Sequence, residues 1–370
     1  MLKDAALLHL ELLSAALREN MILKDASAYN IQWRGPRPVF IDLPSIIPWT
    51  TGHPWYGYRQ FCELFLFPLL LQAYRDISFQ PWLRGSLEGI PVEDCSHLLR
   101  QDFYRPGVLK DVLLHAYFQR RYAATPRRVK DDLQTMGFHK EMIQANVTRL
   151  SKIIGQLTWT STPSPWSAYE ELKHYVPEDK ETKRTFVTRV LQEKRRRLVW
   201  DLGCNEGEFA RLAAAHSEDV VAVDSDSKII EAFYQTLKTQ KSPNILPLVM
   251  NLANASSGLG WRGLERKAFV DRENPDLVLC LALMHHVAIT ANIPLGEWIP
   301  WLAGLGEELL IEFVSPQDPM VQFLLRNSDG ERELYDEQVF EALLNLHFRI
   351  EKRQPLKSGC RILYACRRRS

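Results

Sequence analysis

Asp201-Leu202-Gly203-Cys204-Asn205-Glu206-Gly207 follows directly on the apolar run Leu198-Val199-Trp200. A short apolar run closed by a glycine turn reads as a buried strand handing over to a helix. In an open α/β sheet such a turn lies at the strand's carboxyl end, where nucleotide-like cofactors bind. The spacing is neither G-x-G-x-x-G nor G-x-x-x-x-G-K-[ST], the patterns whose bare backbone N–H groups face phosphate.

The turn instead carries Asp201, Glu206 and Glu208. Three carboxylates repel a pyrophosphate and attract cations. They suit a ligand with a sulfonium, an ammonium and no phosphate, which is the description of S-adenosylmethionine. The expected activity is methyl transfer.

Outward from this turn, strands alternate with helices. Strands are predicted at 197–202, 219–224, 245–251, 276–283 and 308–314, with helices near 206–216, 226–240, 262–272, 294–304 and 336–346. Repeated βα units imply a parallel sheet covered on both faces. Phe348 to Gln354 and Arg361 to Cys366 are joined by a short loop with Ser358-Gly359. That connection is too short for a parallel crossover, so the final pair is predicted antiparallel.

Residues 1 to about 155 read as mainly helical. Leu2, Ala6, Leu10, Leu13 and Leu17 recur at helical spacing with Asp4, Glu11 and Arg18 on another face, the pattern of an amphipathic helix. Further helices are predicted around 57–75, 107–122, 127–136 and 139–155. A hairpin is predicted from Asn30-Ile31-Gln32-Trp33 and Pro38-Val39-Phe40-Ile41-Asp42 across Arg34-Gly35-Pro36. The Ser/Thr/Pro stretch Thr158 to Pro165 marks a boundary. The expected organisation is a helical domain over 1–157, a linker and lead-in helix over 158–185, and a cofactor-binding domain over 186–370.

With 370 residues and a formal net charge of +1, the chain can bury two cores and has no global field to recruit nucleic acid or a membrane surface. The six cysteines are scattered, without a C-x-x-C pair or zinc-ligand spacing, so reduced thiols, no metal and a cytoplasmic location are expected. Met1-Leu2-Lys3-Asp4 does not open a signal peptide. Phe61 to Leu71, the most lipid-like run, contains Glu63 and Pro68 and is too short to span a bilayer.

The sheet with its antiparallel finish, together with Asp201, Gly203 and Gly207, resembles the class I S-adenosylmethionine-dependent methyltransferases over roughly residues 180–370. The fold this implies is α/β: a Rossmann-like seven-stranded methyltransferase sheet with an antiparallel last strand, preceded by a mainly α-helical domain. The resemblance implies cofactor contacts from Asp201, Gly203, Cys204, Asn205, Glu206 and Gly207. The glycines would let the backbone approach the methionine part, and the acid would hold its ammonium. Glu206 could equally be a helix-start residue favoured by the dipole.

Asp224 ends the run Val220-Val221-Ala222-Val223 and can accept both ribose hydroxyls. Its other reading is a helix cap, a role that suits Asp226 better. Asn251 occupies the place where the family touches adenine, and Leu252 could pack on the ring. Trp261, in a small-residue-rich loop, is either core or a stacking aromatic.

The fourth strand delivers Met284-His285-His286 to the same edge. A hydroxyl nucleophile needs its proton removed, and imidazole is a general base near neutrality. His285 and His286 are therefore the catalytic candidates; the alternative is that they cap backbone groups or shape the pocket. The strand end lacks the Asn/Asp-Pro-Pro-aromatic motif of amino-methylating nucleic-acid and glutamine enzymes, and lacks a Pro-Cys nucleophile. A small-molecule or glycan-like acceptor methylated on O or N is favoured over nucleic acid. Lys194-Arg195-Arg196-Arg197 and Arg367-Arg368-Arg369 should lie opposite the cofactor edge, as a solvated face. Tyr169, Tyr175, Lys183 and Phe186 lie in the segment leading into the sheet and could cover the cofactor.

Lys24-Asp25-Ala26-Ser27-Ala28-Tyr29-Asn30-Ile31, then Val39-Phe40-Ile41-Asp42, is similar to the catalytic loop and metal strand of kinase-like phosphotransferases. The likeness implies Asp25 as base and Asn30 and Asp42 as Mg²⁺ ligands. Only 24 residues precede Asp25, too few for a small lobe. The half is therefore expected to be a scaffold or substrate-presenting domain. Phosphotransfer and a non-catalytic cofactor-binding module are the alternative functions. The pairing of the two halves resembles bacterial host-specificity nodulation-type proteins.

Overall fold

The computed structural model describes residues 1–123, 139–159, 177–240, 242, 244–326 and 335–369. The chain divides into two compact units, Met1–Trp33 with Pro38–Thr162, and Arg34–Arg37 with Pro163–Ser370. The predicted helix at 127–136, most of the Ser/Thr/Pro stretch, Tyr169 and Tyr175 lie outside the described residues.

In the first unit the Leu2–Arg18 helix buries Ala6, Leu10, Leu13 and Leu17, the stripe its spacing predicts, and also His9. The helix predicted at 57–75 is continuous but changes pitch. Tyr58–Phe61 is α, Cys62–Leu66 is a π turn and Phe67–Arg75 is α again. Pro68 supplies the reason: it has no N–H to donate to the preceding turn, so the regular ladder cannot run through it. Lys140–Gln156 is the helix predicted at 139–155. Strand β1 (Met21–Leu23) pairs antiparallel with β4 (Ile46–Pro48), and β2 (Ile31–Arg34) pairs with β3 (Arg37–Phe40), the predicted hairpin.

The second unit is built on one seven-stranded sheet. Its strands are β5 (Arg196–Leu202), β6 (Ser217–Asp224), β7 (Ile245–Val249), β8 (Leu277–Cys280), β9 (Glu308–Val314), β10 (Phe348–Pro355) and β11 (Arg361–Arg368). The order is β10-β11-β9-β8-β5-β6-β7. Strands β5 to β9 run parallel, and β11 is antiparallel to both β9 and β10. This is the Rossmann-like sheet with an antiparallel finish that the sequence predicts.

Alternation along each central strand splits the core in two. Val199, Val220, Ala222, Leu279 and Leu310 pack on one face with the Pro177–Gln192, Glu208–Ala214 and Ser227–Gln240 helices. Trp200, Val223, Cys280, Ile311 and Tyr364 pack on the other with Leu295–Leu305 and Glu337–His347. The Pro177–Gln192 helix runs unbroken across residue 185, where the sequence reading ends its lead-in segment. The Pro319–Arg326 helix was not predicted.

Three expectations need correction. No helix forms over 262–272; that segment holds short 3₁₀ turns at Trp261–Gly263 and Phe269–Asp271. Leu259 and Arg266 exchange backbone hydrogen bonds, and Gly260, Arg262 and Gly263 have positive φ, which no helix accommodates. Trp261 is 79% exposed and so is not core. The basic run before β5 is not uniformly solvated. Arg196 is buried, donating to the Val190, Leu191 and Lys194 carbonyls and pairing with Glu308. Guanidinium here caps a helix end and neutralises a carboxylate. Lys194 and Arg367 reach the same Glu308.

Candidate active site

Parallel strands bring the ends of β5, β6, β7 and β8 to one edge, and the predicted site residues follow them. Gly203 and Gly207 both adopt left-handed backbone, with φ of 74° and 77°. At Gly207 a Cβ would land on the Phe233 ring, so only glycine fits. The turn is tied to β6 twice through backbone, Gly203 and Cys204 N–H both donating to the Val223 carbonyl. Gly203 also lies against Leu283, which draws the loop after β8 to the glycine turn.

Asp201 is buried, and its Oδ2 has no hydrogen-bond partner. Burial pushes its pKa up to about 7; nearby Lys183 opposes the rise and Asp224 adds to it. Asp224 is held by two backbone donors, Asn205 N–H to Oδ2 at 2.9 Å and Asp226 N–H to Oδ1 at 3.0 Å. Burial raises its pKa as well, against those hydrogen bonds. Each carboxylate oxygen retains a second acceptor site. Asp226 takes the capping role predicted for it, accepting from Lys228 and Ile229 N–H.

Cys204 is buried and its thiol is raised well above the ordinary range by burial, so it is an unreactive lining group. Asn205 has φ of 48° and is exposed. Glu206 is exposed in the turn. It does not begin the helix; Gly207 caps it and Glu208 starts it. Asn251 caps the Leu252–Asn254 turn, its side chain accepting from Ala253 N–H at 3.0 Å, and Leu252 packs on the core.

His285 and His286 follow β8 after a left-handed turn at Ala282, φ 53°. Their rings are 4.1 Å apart. His285 is buried and its Nδ1 has no partner; His286 is half-buried. Burial lowers both, His285 well below the usual range and His286 to about 4, with Arg361 acting on each. Both imidazoles are therefore neutral at neutral pH.

Sequence reading named Lys183 as a residue that could cover the cofactor and missed the buried charge pairing it joins. Glu312 on β9 accepts Lys183 Nζ at 2.6 Å and Arg361 Nη1 at 3.3 Å, all three buried. A single acid inside Leu309-Leu310-Ile311-Glu312-Phe313-Val314 was the available signal. In the first unit Asn30 donates to Asp42 Oδ2 at 2.9 Å. Among the described residues no group of three or more His, Cys, Asp or Glu side chains could hold a metal, and no helix is long and apolar enough to cross a membrane.

A sheet of this order, with a buried acid beside a glycine turn at the end of its first strand, defines the class I S-adenosylmethionine-dependent methyltransferase fold. No family model matches the chain. The chain belongs to the family of the nodulation protein NoeA. It is 34% identical to that protein from Rhizobium meliloti (strain 1021) over 370 residues, covering 99% of this chain and 78% of the relative. Among solved structures it is similar to the N-methyltransferase NodS from Bradyrhizobium japonicum WM9 in complex with S-adenosyl-l-homocysteine, at 14% identity. That match covers 57% of this chain and 94% of NodS with a TM-score of 0.40. It is also similar to the magnesium protoporphyrin IX methyltransferase ChlM from Synechocystis PCC 6803 with bound S-adenosylhomocysteine, at 16% identity. Coverage is 57% of this chain and 90% of ChlM, with a TM-score of 0.37.

Proposed function

We propose that this protein transfers a methyl group from S-adenosylmethionine to the oxygen or nitrogen of a small-molecule or glycan-like acceptor. The observation that carries this reading is the buried Asp201 oxygen without a partner, set beside a turn that admits backbone but no side chain. A buried carboxylate oxygen without a hydrogen bond is costly, and a ligand ammonium would relieve that cost at the pH where the acid is ionised. Asp201 would hold that ammonium, with Gly203, Cys204, Asn205, Glu206 and Gly207 shaping the turn around the amino-acid part. Asp224 would accept the ribose hydroxyls, and Asn251 and Leu252 would meet the adenine.

When bound, the cofactor supplies an electrophilic methyl on a sulfonium. The protein's own part is to align the acceptor for in-line displacement and to keep water out. His286, the less buried of the two, would accept a hydrogen bond from the acceptor's O–H or N–H and take up its proton as the new bond forms. An imidazole of such low basicity does not deprotonate a hydroxyl in advance, so proton uptake must accompany methyl transfer. His285 would support the His286 ring from behind.

The relative's name places it in nodulation, which makes small molecules and glycans of nodulating bacteria the acceptor pool to screen with labelled cofactor. Turnover abolished in His286→Gln with cofactor affinity retained is the expected result. Full turnover in that variant would remove the histidine from the mechanism, and absence of cofactor binding would remove the reading altogether.

A further inference from the structure

The first unit carries a hollow that the methyl-transfer reading leaves unused. Its volume is about 600 Å³, and its lining is Arg75, Ile77, His97, Leu98, Arg100 and Gln101. A space of that size takes a small molecule. Arg75 ends the Phe67–Arg75 helix, His97 and Leu98 lie in the last turn of Val92–Leu99, and Arg100 opens the short turn Arg100–Asp102. No carboxylate lines the hollow, which offers two guanidiniums, an imidazole and an amide beside two aliphatic side chains.

The two arginines are held differently. Arg75 Nε donates to Asp102 Oδ2 at 2.6 Å, and the Asp102 side chain is only 8% exposed. That contact sets the end of one helix against the turn that follows the other and fixes the plane of the Arg75 guanidinium. Arg105 approaches the other oxygen of the same acid at 3.6 Å, with its guanidinium carbon 4.9 Å from the centre of the Tyr74 ring. Three arginines thus stand around one buried acid. Asp76, next in sequence to Arg75, is engaged by Trp159 Nε1 at 2.7 Å and lies outside the lining. Among the described residues, the terminal Nη1 and Nη2 atoms of Arg75 and the side chains of His97, Arg100 and Gln101 make no hydrogen bond or ion pair.

A cation in the last turn of a helix complements the dipole, which accounts for a positive charge at the end of Phe67–Arg75. It does not account for the grip on Nε, because an arginine meets the dipole in many rotamers. Burying an acid to hold a guanidinium in one orientation costs desolvation. What results is a planar fork whose two terminal nitrogens are already ordered and unspent.

We propose that this hollow binds an oxyanion, the phosphate or carboxylate of a small molecule. Arg75 is the bidentate anchor, Arg100 the second cation, and Ile77 and Leu98 flank the ligand's carbon skeleton. The parallel N–H groups of a guanidinium match two oxygens of one phosphate or carboxylate, and the Gln101 amide can donate to a further oxygen. The site is made by the first unit alone and uses neither S-adenosylmethionine nor the strand-end histidines. It gives that unit a ligand of its own.

The test is titration calorimetry on the full chain at constant ionic strength, with inorganic phosphate, glucose 6-phosphate, glucuronate and glucose as probes. Saturable binding of the anions, and none of glucose, is expected. Tighter binding of glucose 6-phosphate than of glucuronate would make the ligand a phosphate ester, and the reverse order a carboxylate; either upholds the oxyanion site. Arg100→Gln, a change at an exposed side chain, should weaken the anions by roughly tenfold. Arg75→Lys keeps the charge but loses the fork and should weaken them by a similar factor. Arg75→Gln/Asp102→Asn removes the anchor together with its acid, so that no unpaired carboxylate is buried, and should abolish saturation. Arg349→Gln, at an exposed arginine of the second unit, should change nothing, and a melting curve of each variant checks its fold. Absence of saturable binding by any anion, equal binding of glucose, or undiminished affinity in folded Arg100→Gln and Arg75→Lys overturns the proposal. An equal loss in Arg349→Gln would reduce the effect to general charge attraction and overturns it as well. None of these titrations contains S-adenosylmethionine, so their outcome is separate from that of the methyl-transfer reading.

Discussion

Asp201 makes the cofactor reading answerable by a pH series. Its pKa is about 7 in the fold, against 3.8 for the free side chain. The raised value means the folded apo protein binds the proton more tightly than the unfolded chain. Stability from this group is therefore greatest in acid and declines as pH rises through the window between those values, by about 4 kcal/mol in all. An ammonium ligand reverses the preference by pairing with the ionised form. Its affinity should scale with the ionised fraction, about 3% at about pH 5.5 and half at about pH 7, a rise of about fifteenfold. The ligand's own α-ammonium stays protonated over that range. Titration calorimetry with S-adenosylmethionine in two buffers of different ionisation enthalpy should also show close to one proton released at the acid end. Asp201→Asn should flatten the curve and lower affinity at neutral pH by at least about tenfold. A pH-independent affinity would refute the pairing, and the same slope in Asp201→Asn would transfer it to Asp224, whose pKa is also raised.

Three further outcomes follow from the same geometry. Asp224→Asn keeps one acceptor oxygen, enough for the Asn205 N–H but not for the Asp226 N–H as well; it should cost about 1 kcal/mol of stability and weaken cofactor binding by roughly tenfold to a hundredfold, and undiminished affinity would remove the ribose role. Gly207→Ala combines a φ of 77° with a Cβ on the Phe233 ring, and should destabilise the second unit by at least about 2 kcal/mol in a denaturant titration. Glu312→Ala removes the carboxylate that buried Lys183 and Arg361 share, Arg361 keeping its pair with Asp318, and should cost about 3–5 kcal/mol, whereas a stability change below about 1 kcal/mol would mean that water reaches the site.

The parallel sheet was legible because its strands are apolar on both faces, so that Leu198-Val199-Trp200 and Val220-Val221-Ala222-Val223 stand out without alternation. The turn was legible because Gly203 and Gly207 meet two backbone requirements at once, a left-handed φ and close approach to Leu283 and Phe233. The 262–272 segment was not. Its composition suits a helix, but Gly260 and Gly263 allow a tighter path that closes through Leu259 and Arg266, and long-range closure of that kind leaves no periodic trace. The change of pitch at Cys62–Leu66 had a visible cause in Pro68, although proline predicts a break and the chain met it with a π turn instead.

The site divides along the same line. Residues supplied by one strand end each, Asp201, Asp224, Asn251 and the two histidines, could be placed one at a time, because a parallel sheet brings every such end to one edge. The Lys183–Glu312–Arg361–Asp318 chain could not, since its partners are separated by up to 178 positions and each alone reads as an ordinary charge. The histidine reading changes accordingly. From sequence, His285 and His286 are bases near neutrality; in the fold, burial makes them weak ones, with Arg361 acting on both and Lys183 on His285. A weak base beside an acceptor cannot generate a free alkoxide. In the proposed reaction it would orient the nucleophile and take the proton as the methyl moves, so the rate would rest on alignment at the sheet edge more than on proton abstraction.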